Sequence, residues 1–163
     1  MNQLPIGVFD SGVGGLTVLQ ELYRQLPNES ILYFGDTARL PDGIRSADEI
    51  IQFVREILSW MVSQGVKMVI MACNTSSALA LETVRSEFDI PILGVIFPGA
   101  TAAVTAGKRI GIISTPATAK SNAGIDFCDC ISISVALSRC GSGDDADTFS
   151  SRHRRCCPRK NDA

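Results

Sequence analysis

The chain has 163 residues, of which 45% are hydrophobic and 20% charged, a composition typical of a folded domain with a buried core. The formal net charge is -2 and the pI is near 5.3, so we expect neither a nucleic acid nor a membrane surface as a partner. Residues 1–11 lack a basic segment followed by an apolar one, which predicts a cytoplasmic protein rather than a secreted one.

Apolar and amphipathic segments alternate along the first three quarters of the chain. Ser46 followed by Glu49 is a capping-box signature that predicts the start of a helix. The predicted strands are Ile6–Phe9, Ile31–Phe34, Val66–Ala72, Ile92–Ile96 and Ile110–Ile113, and the other predicted helices are Val18–Leu26 and Leu79–Phe88. This alternation predicts an α/β fold, a parallel sheet flanked by helices.

The longest stretch without a charge, residues 90–107, is interrupted by Pro91, Gly94, Pro98 and Gly99. A membrane-spanning helix needs about 20 predominantly apolar residues and tolerates such interruptions poorly. We therefore predict a buried strand followed by a helix, and no membrane segment.

Ligands of parallel α/β sheets bind beyond the carboxyl ends of the strands. The residues that follow the predicted strands are therefore candidates for a site. They are Asp10-Ser11, Asp36-Thr37, Cys73-Asn74-Thr75, Pro98-Gly99 and Ser114-Thr115.

Cys73 follows the third predicted strand, where the unpaired amides of a helix start favour a thiolate. Residues 74–77 are all polar, and their amides and hydroxyls can hold a carboxylate or a phosphate. The alternative is a buried cysteine that acts only as a small apolar side chain. The polar neighbours favour a reactive thiol.

Asp10 opens a glycine-rich turn whose backbone can approach a ligand closely. With Thr17 in place of a third glycine, the turn is an imperfect dinucleotide fingerprint, and Asp36 lies near the position of a ribose-binding acid. A nucleotide-binding module, testable by titration with NAD, is therefore an open alternative. Asp10 as a helix cap and Asp36 as a turn former are the corresponding structural alternatives.

The composition changes after Ala123, and five of the 6 cysteines lie beyond it. A cytoplasmic chain seldom keeps disulfides, and these cysteines lack the spacing typical of zinc ligands, so we expect no metal site. The alternation of Ile131, Ile133, Val135 and Leu137 predicts one strand. We otherwise expect residues 124–163 to be a disordered tail.

Three motifs occur in order along the chain: FDSGVGG at residues 9–15, GDTARLP at 35–41 and ACNT at 72–75. Gly94-Val95, Pro98-Gly99 and residues 115–118 (TPAT) follow in a matching context. On these motifs the chain closely resembles the bacterial glutamate racemases of the aspartate/glutamate racemase family, from about Ile6 to Asn122.

The resemblance implies a cofactor-independent interconversion of L- and D-glutamate that supplies peptidoglycan synthesis, with two cysteines acting on opposite faces of the α-carbon. It implies that Cys73 is the first acid/base and that Asp10 assists it. It also implies a substrate-binding set: Asp10, Ser11, Pro41, Asp42, Gly43, Asn74, Thr75 and Thr118. Glutamate is the expected small-molecule partner, and aspartate is an alternative substrate.

The family's second cysteine lies in a Cys-Thr-His motif, and no tail cysteine precedes a threonine. By the resemblance, residues 1–98 form a first domain without its return segment, and 99–123 begin a truncated second domain. A shifted reading frame or a truncated gene would explain the tail.

We expect impaired turnover and, because apolar surface is left uncovered, self-association into a homo-oligomer. The alternative is a non-catalytic remnant that binds carboxylates or another subunit.

Asp42 stands where the family usually has Tyr, and it places a negative charge beside a dianionic substrate. At an effective dielectric of about 20, such a charge costs on the order of 1 to 3 kcal/mol. We predict that Asp42→Tyr tightens glutamate binding, as measured by calorimetric titration. An unchanged affinity would contradict this prediction.

Overall fold

The computed structural model describes residues 4–40, 44–107, 109–115, 117–118, 121 and 132–137. Its main sheet has four parallel strands in the order β2-β1-β3-β4, which confirms the predicted α/β fold. The strands are β1 (Ile6–Asp10), β2 (Ile31–Gly35), β3 (Met68–Met71) and β4 (Ile92–Gly94). The helices are α1 (Gly15–Gln25), α2 (Ala47–Ser63), α3 (Asn74–Leu79), α4 (Leu81–Val84) and α5 (Ile96–Ala106).

A second, two-stranded parallel sheet is formed by β5 (Arg109–Ser114) and β6 (Ser132–Leu137). β6 corresponds to the strand predicted from the alternating apolar residues near the start of the tail. The rest of the tail, with its five cysteines, lies outside the described residues.

β1 is one of the two inner strands of the main sheet and is buried along its whole length. On one face, Phe9 packs in a cluster with the buried side of α2 and with residues from α4. On the other face, Ile6 and Val8 pack against Val18 and Leu22 of α1. Burial on both faces explains why this strand is an almost continuous apolar run rather than an alternating one.

α2 begins at the predicted capping box. The Ser46 hydroxyl accepts a hydrogen bond from the Glu49 amide at 3.3 Å, and the Glu49 carboxylate accepts one from the Ser46 amide at 3.0 Å. The hydrogen bonds from the backbone amide and then the hydroxyl of Ser46 lower the pKa of Glu49. The helix is followed by Gly65, whose φ of +76° lies in the left-handed region that glycine adopts without a Cβ penalty.

The helix start expected at the polar residues after Cys73 is confirmed, but the bounds predicted for the third helix, Leu79–Phe88, are wrong. Two short helices, α3 and α4, occupy this part of the chain and meet at Ala80. α3 begins directly after Cys73 because the Cys73 Sγ accepts the Ser76 amide at 3.4 Å and so caps the helix. A thiol cap is not among the residue types that signal a helix start in sequence.

The fourth strand ends at Gly94, earlier than predicted. The amide of Val95 donates to the Ser77 hydroxyl at 3.3 Å instead of continuing the ladder, and α5 follows at once. Pro98 and Gly99 therefore lie in the first turn of α5, and their predicted place at a strand end is wrong. Proline is tolerated in a first turn because the amides there have no partner within the helix.

Other predicted bounds are closer to those observed. β1, β2 and β5 each extend about one residue beyond the prediction, and α1 begins earlier, at Gly15. β3 is shorter than predicted, but the amides of Lys67 and Ala72 still donate to the carbonyls of Pro5 and Phe9, at 2.9 Å and 2.8 Å. The ladder between β1 and β3 therefore extends past both ends of β3.

Leu58 of α2 is fully buried in the core on the α2 face of the sheet. We expect Leu58→Ala to lower the free energy of unfolding by about 2 to 5 kcal/mol, because apolar contacts are lost and a cavity remains. Urea unfolding followed by fluorescence of Trp60, the single tryptophan, measures this loss. Val62→Ala on the exposed side of α2 is the matched control, with an expected change within about 0.5 kcal/mol. Equal losses in the two variants would contradict the assignment of the core.

Candidate active site

The order of the strands reverses beside β1, because β2 lies on one side of it and β3 on the other. Ligands of open parallel sheets bind at such a reversal, outside the carboxyl ends of the strands. Asp10 ends β1, and Cys73 follows β3 by two residues. The structure therefore brings the two predicted catalytic residues to the ends of adjacent strands.

The Cys73 side chain is buried and only 4% exposed. Its Sγ lies 3.2 Å from the Ser11 Oγ and accepts the amide of Ser76 at 3.4 Å. Hydrogen-bond donors at the start of a helix stabilise a thiolate relative to a thiol. These polar contacts favour a reactive thiol over a cysteine that only fills space.

The Asp10 carboxylate is buried and holds the glycine-rich turn. Its Oδ2 accepts the amides of Gly12 and Gly15, at 3.1 Å and 2.9 Å. Because Gly15 is the first residue of α1, these bonds correspond to the capping role considered for Asp10 from the sequence. A Cβ at Gly15 would lie 2.5 Å from the Asp10 Cβ and 3.0 Å from the Tyr33 hydroxyl, so the turn requires glycine there.

The phenol of Tyr33 on β2 reaches the same turn. Its hydroxyl oxygen is buried and has no hydrogen-bond partner in the part of the chain that the structure describes. Burial, and then the negative charge of Asp10, raise the pKa of Tyr33. Nothing in the sequence distinguishes this residue, because a tyrosine within a predicted strand is the ordinary β-sheet pattern.

Three threonine hydroxyls lie close together at the start of α3. The Thr75 Oγ1 lies 3.4 Å from that of Thr115 and 3.3 Å from that of Thr118, and the latter two are 3.0 Å apart. The structure therefore brings together Thr75 and Thr118, both predicted substrate-binding residues, and adds Thr115. Thr115 follows the fifth predicted strand and begins the TPAT segment, but it is not in the predicted substrate-binding set.

The remaining predicted positions differ in their surroundings. Ser77 is one of the four polar residues after Cys73. Its hydroxyl donates to the carbonyl of Met71 at the end of β3, at 2.9 Å, and accepts the amide of Val95 directly after β4, at 3.3 Å. Asn74 is exposed. Pro41–Gly43, which includes Asp42, lies outside the described residues.

Asp36 after β2 belongs to a turn beside the site. Its amide donates to the Asp10 carbonyl at 2.8 Å, and its carboxylate lies 3.4 Å from the Arg39 guanidinium. Arg39 also binds Glu56 at 2.7 Å and lies over the ring of Phe53, 4.6 Å from its centroid. These contacts correspond to the turn-forming role considered for Asp36.

A small pocket opens next to Ser11 and Ser76. Polar side chains form part of its wall, and apolar side chains from β1 and α2 form the rest, a combination that is common in ligand sites. The lining residues are Phe9, Ser11, Asp36, Arg39, Ile50, Phe53, Val54, Ile57 and Ser76. The apolar side chains in the wall of this pocket also belong mainly to the hydrophobic core.

Two further observations concern the described part of the chain alone. None of the helices seen there is both long enough and apolar enough to cross a membrane. In the same residues, no three His, Cys, Asp or Glu side chains come together as a group that could hold a metal ion.

The sequence matches the profile of the Asp/Glu/Hydantoin racemase family over residues 6–129. The chain belongs to this family. The match extends past Ala123, where the resemblance had been expected to end.

Individual relatives agree with this assignment. The chain is 79% identical over 119 residues to a glutamate racemase of Gloeothece citriformis and 80% identical over 119 residues to one of Rippkaea orientalis. Each match covers 73% of this chain but only 43% and 42% of those relatives. The chain therefore spans less than half the length of the curated relatives it matches.

Solved structures share the fold. Glutamate racemase from Aquifex pyrophilus superposes with a TM-score of 0.79 at 43% identity, covering 82% of this chain and 55% of that one. Glutamate racemase from Francisella tularensis, solved in complex with D-glutamate, gives a TM-score of 0.76 at 40% identity and covers 84% of this chain and 54% of that one. The parallel sheet with flanking helices is thus the fold of glutamate racemases.

Asp10→Ala leaves two backbone amides of the turn without their acceptor. We expect it to lower the free energy of unfolding by about 1 to 3 kcal/mol, since unpaired buried donors lose their hydration without compensation. Asp89→Ala, which removes an exposed carboxylate, is the control, with an expected change within about 0.5 kcal/mol. Urea unfolding compares the two variants, and an unchanged stability of Asp10→Ala would contradict the structural role of this carboxylate.

Proposed function

We propose that this chain carries one half of the active site of a glutamate racemase, and that Cys73 exchanges the α-proton of glutamate without a cofactor. The observation that supports the proposal most directly is the environment of the Cys73 sulfur. It is buried at the reversal of the sheet, between the Ser11 hydroxyl and the Ser76 amide, at the strand end next to Asp10. Relatives about 79% identical to this chain are glutamate racemases.

A thiolate removes an α-proton effectively only when it is positioned and partly desolvated. Burial supplies the desolvation, and the contacts with Ser11 and Ser76 hold the sulfur in place. Asp10 assists Cys73 and, through its bonds to Gly12 and Gly15, fixes the turn that carries Ser11. In this proposal the carboxylate has a chemical and a structural role at once.

The negative charge that develops during proton removal spreads onto the α-carboxylate of the substrate. Hydroxyl groups preorganised near that position stabilise it without reorganising during the reaction. We assign this role to the threonine group of Thr75, Thr115 and Thr118, whose hydroxyls lie within 3.4 Å of each other. Asn74, Pro41, Asp42 and Gly43 complete the proposed substrate-binding set by the family resemblance.

Inversion requires a second acid/base on the opposite face of the α-carbon. Cys73 is the only cysteine among the described residues, so the proposal assigns it one face and leaves the other proton donor unassigned. By the family resemblance, the D-glutamate formed would enter peptidoglycan synthesis, which places the protein in the cytoplasm. Glutamate is proposed over aspartate because the curated relatives are named for glutamate.

The test is exchange of the substrate α-proton in heavy water, followed by NMR with the purified chain and L-glutamate, D-glutamate or L-aspartate. We expect exchange from glutamate, and a loss of at least about 100-fold in Cys73→Ala, since a positioned base contributes about that much or more. Val62→Ala, on the exposed side of α2 and outside the residues assigned to the site, is the control and should keep the full rate.

Equal exchange by Cys73→Ala would contradict the role of Cys73. A folded wild-type chain that shows no exchange would contradict the catalytic proposal and favour a non-catalytic remnant. Faster exchange from L-aspartate than from glutamate would overturn the substrate assignment.

A further inference from the structure

The hydroxyl of Tyr33 is a buried polar group next to the site that the proposed mechanism does not use. In the described part of the chain its oxygen has no hydrogen-bond partner. Buried hydroxyls are nearly always hydrogen-bonded in folded proteins, because an unpaired one loses its hydration without compensation. The position of this hydroxyl therefore points to an acceptor nearby.

Asp10 is a charged group beside this hydroxyl. A Cβ built at Gly15 would lie 3.0 Å from the Tyr33 oxygen and 2.5 Å and 3.1 Å from the Cβ and Cγ of Asp10. The phenol and the carboxyl group thus face each other across a residue that has no side chain to separate them. They come from neighbouring strands in fixed register, in which Val8 pairs with Tyr33 and Asp10 with Gly35.

The carboxylate has acceptor capacity left for such a bond. Among the described residues, the hydrogen bonds that the Asp10 carboxylate accepts, from the amides of Gly12 and Gly15, both end on Oδ2. An ionised carboxylate has about four lone-pair sites on its two oxygens. Oδ1 can therefore accept a further hydrogen bond while Oδ2 keeps both backbone amides.

We propose that Tyr33 is a positioning residue for Asp10: its hydroxyl donates a hydrogen bond to Asp10 Oδ1 and holds the carboxylate in orientation beside Ser11 and Cys73. A hydroxyl that donates to a carboxylate forms a short, charge-assisted bond that is stronger than one between neutral groups. The effect of this hydrogen bond on catalysis rests on the proposed function, whereas the existence of the bond does not.

The pKa of Tyr33 favours the protonated phenol, which is the form that can donate a hydrogen bond. Burial and the charge of Asp10 both raise the pKa of the phenol above its ordinary value. The hydroxyl therefore keeps its proton throughout the neutral range, and only strongly alkaline solution would remove it.

The chain has only 2 tyrosines, and Tyr23 is 53% exposed, so Tyr23→Phe leaves one phenol to titrate by NMR of ¹³Cζ-labelled tyrosine. In this background we expect Asp10→Asn to lower the pKa of Tyr33, because a nearby negative charge is removed while burial remains. Asp36→Asn, which removes a different carboxylate after β2, is the control and should leave it unchanged. An unchanged pKa of Tyr33 in Asp10→Asn would overturn the contact.

A second measurement reports whether the carboxylate is held in place. In Tyr33→Phe we expect hydrogen exchange of the Gly15 amide, measured by ¹⁵N NMR, to rise at least about threefold, because its acceptor Asp10 is less fixed. Tyr23→Phe should leave it unchanged. Equal protection of Gly15 in Tyr33→Phe and in the wild type would overturn the positioning role.

Proton exchange from glutamate then separates this inference from the proposed function. If the wild type is active, Tyr33→Phe should lower the exchange rate about tenfold with little change in glutamate affinity, and full activity would contradict a catalytic consequence. If the wild type shows no exchange, the proposed function fails, while the titration and the Gly15 measurement still decide whether Tyr33 positions Asp10.

Discussion

The pairing of β1 with β2 on one side and β3 on the other is the constraint on which the site depends. The hydrogen-bond ladder continues beyond the strands: the amide of Asp36 donates to the Asp10 carbonyl, and that of Ala72 donates to the Phe9 carbonyl, each at 2.8 Å. These bonds fix where the chain leaves each strand. Ser11 and Cys73, 62 positions apart in sequence, meet at 3.2 Å as a result.

Burial sets the chemistry of the groups gathered there. A buried thiol and a buried carboxylate are each costly unless donors surround them, and here most of these donors are backbone amides. The Ser76 amide serves Cys73, and those of Gly12 and Gly15 serve Asp10. The local fold and the reactive groups therefore stabilise each other, and a substitution at Asp10 changes both stability and the site.

The described part of the chain also leaves apolar surface uncovered. Leu93 on β4 is 51% exposed and Phe97 on α5 is 55% exposed, and none of the α5 residues is fully buried. Parallel sheets usually have both faces covered by helices. These residues mark the surface on which the expected self-association would act, and the homo-oligomer itself stays a prediction.

Much of the fold could be predicted from local patterns. The alternation of apolar segments, the capping box at Ser46 and the polar residues at strand ends depend on neighbours a few positions apart, which a sequence displays directly. The bounds of α3 and of the fourth strand were wrong because they depend on the Cys73 sulfur as a cap and on the bond between Ser77 and Val95. Neither contact has a recognised local signature.

Composition, periodicity and short motifs are enough to predict the fold class, the family resemblance and the candidates Asp10, Ser11 and Cys73. Which of these residues touch follows from the assembled fold and not from these patterns. The contact of Ser11 with Cys73 and the approach of Tyr33 to the turn of Asp10 join different strands. Such contacts depend on strand order and register, which arise when the sheet assembles and are not encoded in any one segment.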